Sequence, residues 1–179
     1  MSNLDHAYPK FMSFLNREIL GRALLVALGL GSVLTFINQP GAVFGTDTVQ
    51  VLPLVLVYLT PFVVVTISQV LGVRRATFDA RAGRTPARYD DAILATAMSH
   101  GIPQRALLVA VVIGTASTSV VAVAALMANG TPSDIPVALT FQAFVLPLLF
   151  GVLTQTIAYR RAVTAFAPQP QPALPPLAI

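Results

Sequence analysis

Four long apolar runs, separated by short polar connectors, dominate the chain. Residues 23–46, 49–73, 106–128 and 135–159 carry no charged side chain. A helix needs roughly 20 residues to cross a hydrocarbon core of about 30 Å, and each run supplies that length. The pattern predicts spans over roughly 20–38, 49–73, 104–128 and 135–160. Before the first span, Phe11, Met12, Phe14, Leu15, Ile19 and Leu20 follow a rough helical period with Lys10, Arg17 and Glu18 among them. That fits either a helix on the membrane surface or the start of the span itself. In the central connector, DDAILATAMSHG offers Asp90 or Asp91 as an N-cap and Gly101 as a stop, so a short helix is expected there. The tail APQPQPALPP reads as extended and disordered. The fold class predicted is an all-α integral membrane protein. Its parts are a lead at 1–21, a hairpin at 22–76, a loop at 77–104, a second hairpin at 105–162 and a tail at 163–179.

The hairpins resemble each other. RALLVA occurs at 22–27 and again at 105–110. With an offset of 83, Ala23, Ala27, Gly31 and Thr35 fall on Ala106, Ala110, Gly114 and Thr118. These positions are four apart, so each set forms a stripe of small residues that lets helices approach closely in lipid. Further along the offset becomes 86, which pairs Pro61 with Pro147 and Arg74-Arg75-Ala76 with Arg160-Arg161-Ala162. Two copies of one hairpin, entering and leaving on the same side, are expected as parallel repeats.

Composition sharpens this reading. Of 179 residues, 55% are hydrophobic and 10% charged, against about 25% charged in a soluble domain. The formal charge of +4 is a topology signal rather than a nucleic-acid patch. Lys10, Arg17 and Arg22 precede span one. Arg74, Arg75, Arg81, Arg84, Arg88 and Arg105 lie between spans two and three, and Arg160 and Arg161 follow span four. The other two connectors carry Asp47 and Asp134 instead. Positive charge stays cytoplasmic during insertion, so both termini and the central loop are expected inside, with no cleavable signal peptide. There is no cysteine, and His6 and His100 lie outside the predicted spans. No metal site and no cofactor is expected.

The predicted spans hold no Asp, Glu, Lys, Arg or His over their charge-free runs. A proton-coupled cation exporter needs an intramembrane carboxylate, and an enzyme needs a nucleophile with its base; neither is expected here. What remains is neutral and polar: Ser32, Thr35, Asn38, Gln39, Tyr58, Thr60, Thr66, Ser68 and Gln69 in the first half. Such groups give hydrogen bonds without adding negative charge, which suits a small anion. Counted from Ala23, the first helix reaches Asn38 after about 22 Å, short of the full core, and Pro40-Gly41 turns the chain. Asn38 then either faces a wet cavity or caps the helix at headgroup level. Pro61 either marks a binding region at the repeat interface or is a packing kink. Gln69, Gln142 and Gln155 read as hydrogen-bonding glue between helices, and Asn129-Gly130-Thr131 as a turn.

The stretch ALLVALGLGSVLTFINQPGA, followed by LVYLTPFVVVTIS, resembles the NrtS-type nitrate/nitrite transporter family over 22–73. The residues carrying the resemblance are Ile37-Asn38, Gly41, Tyr58, Pro61-Phe62, Thr66 and Ser68. An acidic residue expected after the glycine is Ala42, and Val57 and Val65 stand where the family has Thr and Ser. The second half has Val121 in place of the Asn and no Tyr matching Tyr58. The resemblance implies a nitrate/nitrite permease of the bacterial inner membrane. Its substrate contacts would be Asn38, Tyr58, Pro61, Thr66, Ser68 and Thr35, with the second hairpin as scaffold. The lipid bilayer and a small inorganic anion are the expected partners. A homo-oligomer is also expected, with Ala23, Ala27, Gly31, Ala106, Ala110 and Gly114 as packing residues. A halide-type channel and a non-transporting subunit that docks a partner are the alternatives.

Overall fold

The computed structural model describes residues 15–84, 92–127 and 137–166. These form α1 (Arg17–Asn38), α2 (Pro40–Val43), α3 (Val51–Arg81), α4 (Ile93–Ser99), α5 (Ile102–Met127) and α6 (Val137–Phe166), with no strand among the described residues. Four of the helices, α1, α3, α5 and α6, are long and apolar enough to cross a membrane by length and composition, the pattern of a multi-pass membrane protein. Their outward faces expose large apolar residues such as Leu25, Leu108 and Leu149, which lipid tolerates.

Each helix runs past the bounds that hydropathy sets. The Asn16 side chain accepts a hydrogen bond from the Ile19 N–H at 2.9 Å and caps α1 there. Glu18 and Arg22 pair one turn further on. The first span therefore starts at Arg17, within the stretch assigned above to a separate lead. Its 22 residues give about 33 Å, a full crossing, so Asn38 stands in the last turn of a complete helix and not on a truncated one. α3 continues through Arg74-Arg75 to Arg81, and α6 through Arg160-Arg161 to Phe166. α3 is also unbroken at Pro61. The central short helix is present as α4, and Gly101 follows it with φ of +62°, a backbone that favours glycine. The N-cap of α4 is Ala92, with no side-chain hydrogen bond, and not Asp90 or Asp91, and residues 163–166, assigned above to the tail, belong to α6. Asp90 and Asp91, His6, the tail from 167 and the Asn129-Gly130-Thr131 turn lie outside the described residues.

Packing is organised around α3 and α6, which lie parallel. Gly72 of α3 sits against the backbone of Gln155 and against Ala158 of α6. α1 packs antiparallel on α3, where the Tyr58 ring lies on Gly31. α5 packs antiparallel on α6, where the Phe144 ring lies on Gly114. Tyr58 and Phe144 are 86 residues apart, and Gly31 and Gly114 are 83 apart. Ala23, Ala27, Gly31, Ala106, Ala110 and Gly114 are all buried inside this one chain. The small stripes thus serve contacts within the protomer and are not open to a second copy.

A Cβ at Gly72 would overlap the Gln155 carbonyl oxygen, a backbone atom that cannot swing away. Gly21, also helical, has nothing near its missing Cβ. Gly72→Ala is expected to destabilise the protein by about 1–3 kcal/mol through overpacking. Gly21→Ala is expected to be neutral or stabilising by up to about 1 kcal/mol from helix propensity. Thermal unfolding in detergent micelles reads both.

Candidate functional site

α1, α3, α5 and α6 enclose a crevice of about 190 Å³ toward the end of the bundle that carries the α1–α3 connector. One water needs about 10–15 Å³ by this measure, so the space admits a small solute with some of its hydration. Its walls are mainly Leu, Val, Pro and Phe, interrupted by uncharged polar side chains: Asn38, Gln39, Gln50, Thr60, Ser117, Thr118 and Gln142. No ionisable residue lines it among the described residues.

The crevice draws on corresponding places in the two hairpins. Asn38 and Val121, at an offset of 83, both line it, as do Leu34 and Ser117. Pro61 with Pro147, Val57 with Ala143, and Val64 with Phe150, at an offset of 86, do the same. Each proline lacks an N–H and so frees the carbonyl four residues back, at Val57 and Ala143. The Ala143 carbonyl lies close to Gly114, where a Cβ would approach it to 2.8 Å. The prolines thus free carbonyl oxygens within continuous helices and supply no N–H donors of the kind a broken helix would offer.

The local hydrogen bonds decide which polar groups are available. Gln39 is committed: its amide donates to the Gln50 carbonyl at 3.2 Å and accepts from the Gln50 N–H at 3.1 Å, closing the α1–α3 connector. Thr60 and Ser117 hydroxyls meet at 3.4 Å across α3 and α5. Asn38 is half-buried on the crevice wall. Thr118 Oγ1 is buried and has no hydrogen-bond partner among the described residues. Deeper in the bundle the same holds for Thr66 Oγ1, Ser68 Oγ and both polar atoms of Gln155. The interhelical bond expected of Gln155 is therefore not formed, although the residue is fully buried.

The sequence-derived set is divided by this geometry. Asn38 and Pro61 line the crevice. Tyr58 does not: its ring covers Gly31 and its hydroxyl lies 3.2 Å from Ser32 Oγ. Ser32 donates its own hydrogen to the Leu28 carbonyl at 2.7 Å, so the Tyr58 hydroxyl is the donor to Ser32. Thr35 donates to the Gly31 carbonyl at 2.8 Å and lies off the crevice. Thr66 and Ser68 are buried farther along α3, beyond its lining residues. Ser117 and Thr118 were not singled out by residue type alone, although the offset of 83 places Thr118 opposite Thr35. The Asp47 carboxylate sits over Gly41.

A second polar cluster lies at the opposite, arginine-bearing end. Asp79 is 1% exposed, on the part of α3 beyond the apolar run. Its Oδ2 accepts from the Tyr159 hydroxyl of α6 at 3.0 Å and lies 2.9 Å from Arg75 Nε, an ion pair without hydrogen-bond alignment. His100 Nδ1 lies 3.4 Å from the same oxygen, and both ring nitrogens are within 3.2 Å of the Tyr159 hydroxyl. Burial holds the His100 imidazole below its usual 6.5; Asp79 opposes the shift, while Arg75 and Arg105 add to it. The i,i+4 spacing of Arg75 and Asp79 in RRATFDAR was the available signal for this cluster.

Family models, curated proteins and solved structures give no match to this chain.

Thr118→Val keeps shape and removes a buried hydroxyl that satisfies nothing. It is expected to leave stability unchanged or raise it by up to about 1 kcal/mol in a thermal melt, whereas loss of a used hydrogen bond lowers it by about that amount. For His100, a depressed folded-state pKa means the unfolded chain binds more protons below 6.5. Stability should hold above that pH and fall as pH drops below it, and His100→Gln should flatten the fall in melts across the same range.

Proposed function

We propose that this chain is a multi-pass membrane transporter for a small inorganic anion, nitrate or nitrite, with its pathway beginning in the uncharged crevice. The observation that carries this reading is the set of buried polar groups without partners, from Thr118 at the crevice to Thr66, Ser68 and Gln155 beneath it. A hydroxyl or amide left unpaired in an apolar interior costs about 2–7 kcal/mol relative to water. Groups of this kind persist where a passing solute or its water satisfies them. Hydroxyl and amide hydrogens stabilise an anion without a fixed charge to trap it, and the resemblance of 22–73 to the NrtS-type family supplies the identity of the ion.

The crevice residues related by offsets of 83 and 86, and the matching ring-on-glycine contacts, support two parallel repeats about an axis near the membrane normal. The charge distribution supports an arginine-bearing end in the cytoplasm, with the crevice opening toward the outside of a bacterial inner membrane. In this arrangement the pathway runs within one protomer; any homo-oligomer surrounds it without completing it.

Flux from purified protein in liposomes tests the reading. Nitrite and nitrate are expected to enter faster than in protein-free vesicles, and excess chloride is expected to compete poorly; strong chloride competition identifies a halide channel instead. Asn38→Leu should lower nitrite flux about tenfold, the equivalent of about 1.4 kcal/mol, while Tyr58→Phe should stay within about twofold because its hydroxyl serves Ser32. Flux equal to that of empty vesicles contradicts transport and favours a subunit that docks a partner.

A further inference from the structure

The cluster at the arginine-bearing end joins groups that no packing need alone requires. Asp79 and Arg75 come from α3, Tyr159 from α6, His100 from the α4–α5 corner, and Arg105 from the first turn of α5. The Asp79 carboxylate is almost wholly buried, yet its Oδ1 accepts no hydrogen bond among the described residues. The Tyr159 hydroxyl donates to Asp79 Oδ2. It therefore meets His100 as an acceptor, and a ring N–H of His100 is the donor. The imidazole is tilted against the Tyr159 ring, with centroids 4.4 Å apart. Within the Asp79–Tyr159–His100 chain, His100 is the member that reaches solvent, with 16% of its side chain exposed, and it ties the corner to α3 and α6.

Among the described residues, the charges that act on His100 are one carboxylate, Asp79, and two guanidinium groups, Arg75 and Arg105. With a neutral imidazole these groups together carry one net positive charge. A proton on His100 raises this to two, in a site that is largely buried. That load is relieved when the imidazolium swings out to solvent, which breaks the link between His100 and the Tyr159–Asp79 pair. The α4–α5 corner rests on the Tyr159–Asp79–His100 chain, with Ala97 and Ile102 in one buried cluster with Tyr159. It turns on Gly101 in a left-handed conformation, and α4 has only seven residues, held by buried Thr96 and Ala97 with Ile93, Leu94 and Met98 exposed.

We propose that Asp79, Tyr159 and His100 form a proton-binding site reached from the arginine-bearing side, and that proton uptake releases the α4–α5 corner and opens that end of the bundle. As coupling to anion movement this rests on the transport reading; as a proton-linked opening it stands apart from it. Movement of an anion with a proton is electrically neutral, which suits a pathway whose crevice holds no charge of its own.

The absence of native cysteine gives a clean test. Thr96 is 1% exposed under the corner, and Thr96→Cys places one thiol there in the full chain, reconstituted in nanodiscs. Labelling by a charged maleimide is read at about pH 7.5 and about pH 5.5, on either side of the ordinary imidazole range. Rates are corrected for thiolate content with an exposed cysteine at Ala82. The corrected rate should rise about tenfold at the lower pH, a shift of about 1.4 kcal/mol, and His100→Gln in the same background should abolish the rise. Asp79→Asn, which keeps the shape of the acceptor, should label at the higher rate at both pH values. A corrected rate that ignores pH, or one that responds equally with His100→Gln, overturns the proposal. In liposomes an inward proton gradient should accelerate nitrite uptake by wild type and not by His100→Gln. Absence of any flux with pH-dependent labelling intact removes the transport reading and leaves the proton site standing. Flux with no response of labelling or uptake to protons does the reverse.

Discussion

The close parallel contact between α3 and α6 is the constraint on which the rest depends. Gly72 gives up its side chain so that the Gln155 backbone can lie against it, with Ala158 alongside. Helices in lipid gain little from expelling water, so intimate packing of this kind must supply the association energy. Once α3 and α6 are joined, α1 and α5 can only pack on the outer flanks, each through a glycine covered by an aromatic ring. Toward the α1–α3 connector the four helices leave the crevice bounded by Pro61 and Pro147. Toward the arginines the two central helices are fastened by the Tyr159–Asp79 hydrogen bond. One contact thus has an uncharged space on one side and a charged, titratable cluster on the other.

Under the transport reading proposed above, that division of chemistry suits passage of a small ion. A fixed charge in the apolar part of such a path would either repel the solute or hold it, whereas neutral hydroxyls and amides exchange with its water. Ionisable groups sit at the end where water reaches them through the exposed edge of His100. The two clusters are linked mechanically through α3 and α6, since both carry residues of each.

Much of this was legible in the sequence, and the misses share a cause. The four spans, the short α4 and its Gly101 stop follow from hydropathy and glycine chemistry, because those signals are local. Asp79 escaped because hydropathy ends the helix at the arginine pair, while the backbone continues two turns beyond it and carries the carboxylate into the bundle. Tyr58 was read as a donor in the path, yet a ring next to a facing glycine fills the gap, and Ser32 holds its hydroxyl. Thr35 satisfies itself on the Gly31 carbonyl, while Thr118, its counterpart in the second half, does not. Residue type names the groups able to give a hydrogen bond; only the packed helices decide which are already using it.

The pairing of α3 with α6 is tested most directly by a double-mutant cycle on Asp79 and Tyr159, using Asp79→Ala, Tyr159→Phe and the double variant in reversible unfolding from micelles. A hydrogen bond to a buried carboxylate is worth about 1.5–3 kcal/mol, so the account predicts a coupling energy of at least about 1 kcal/mol. Additive effects, with coupling near zero, would mean that the two residues do not meet and that the central helix pair is not as described.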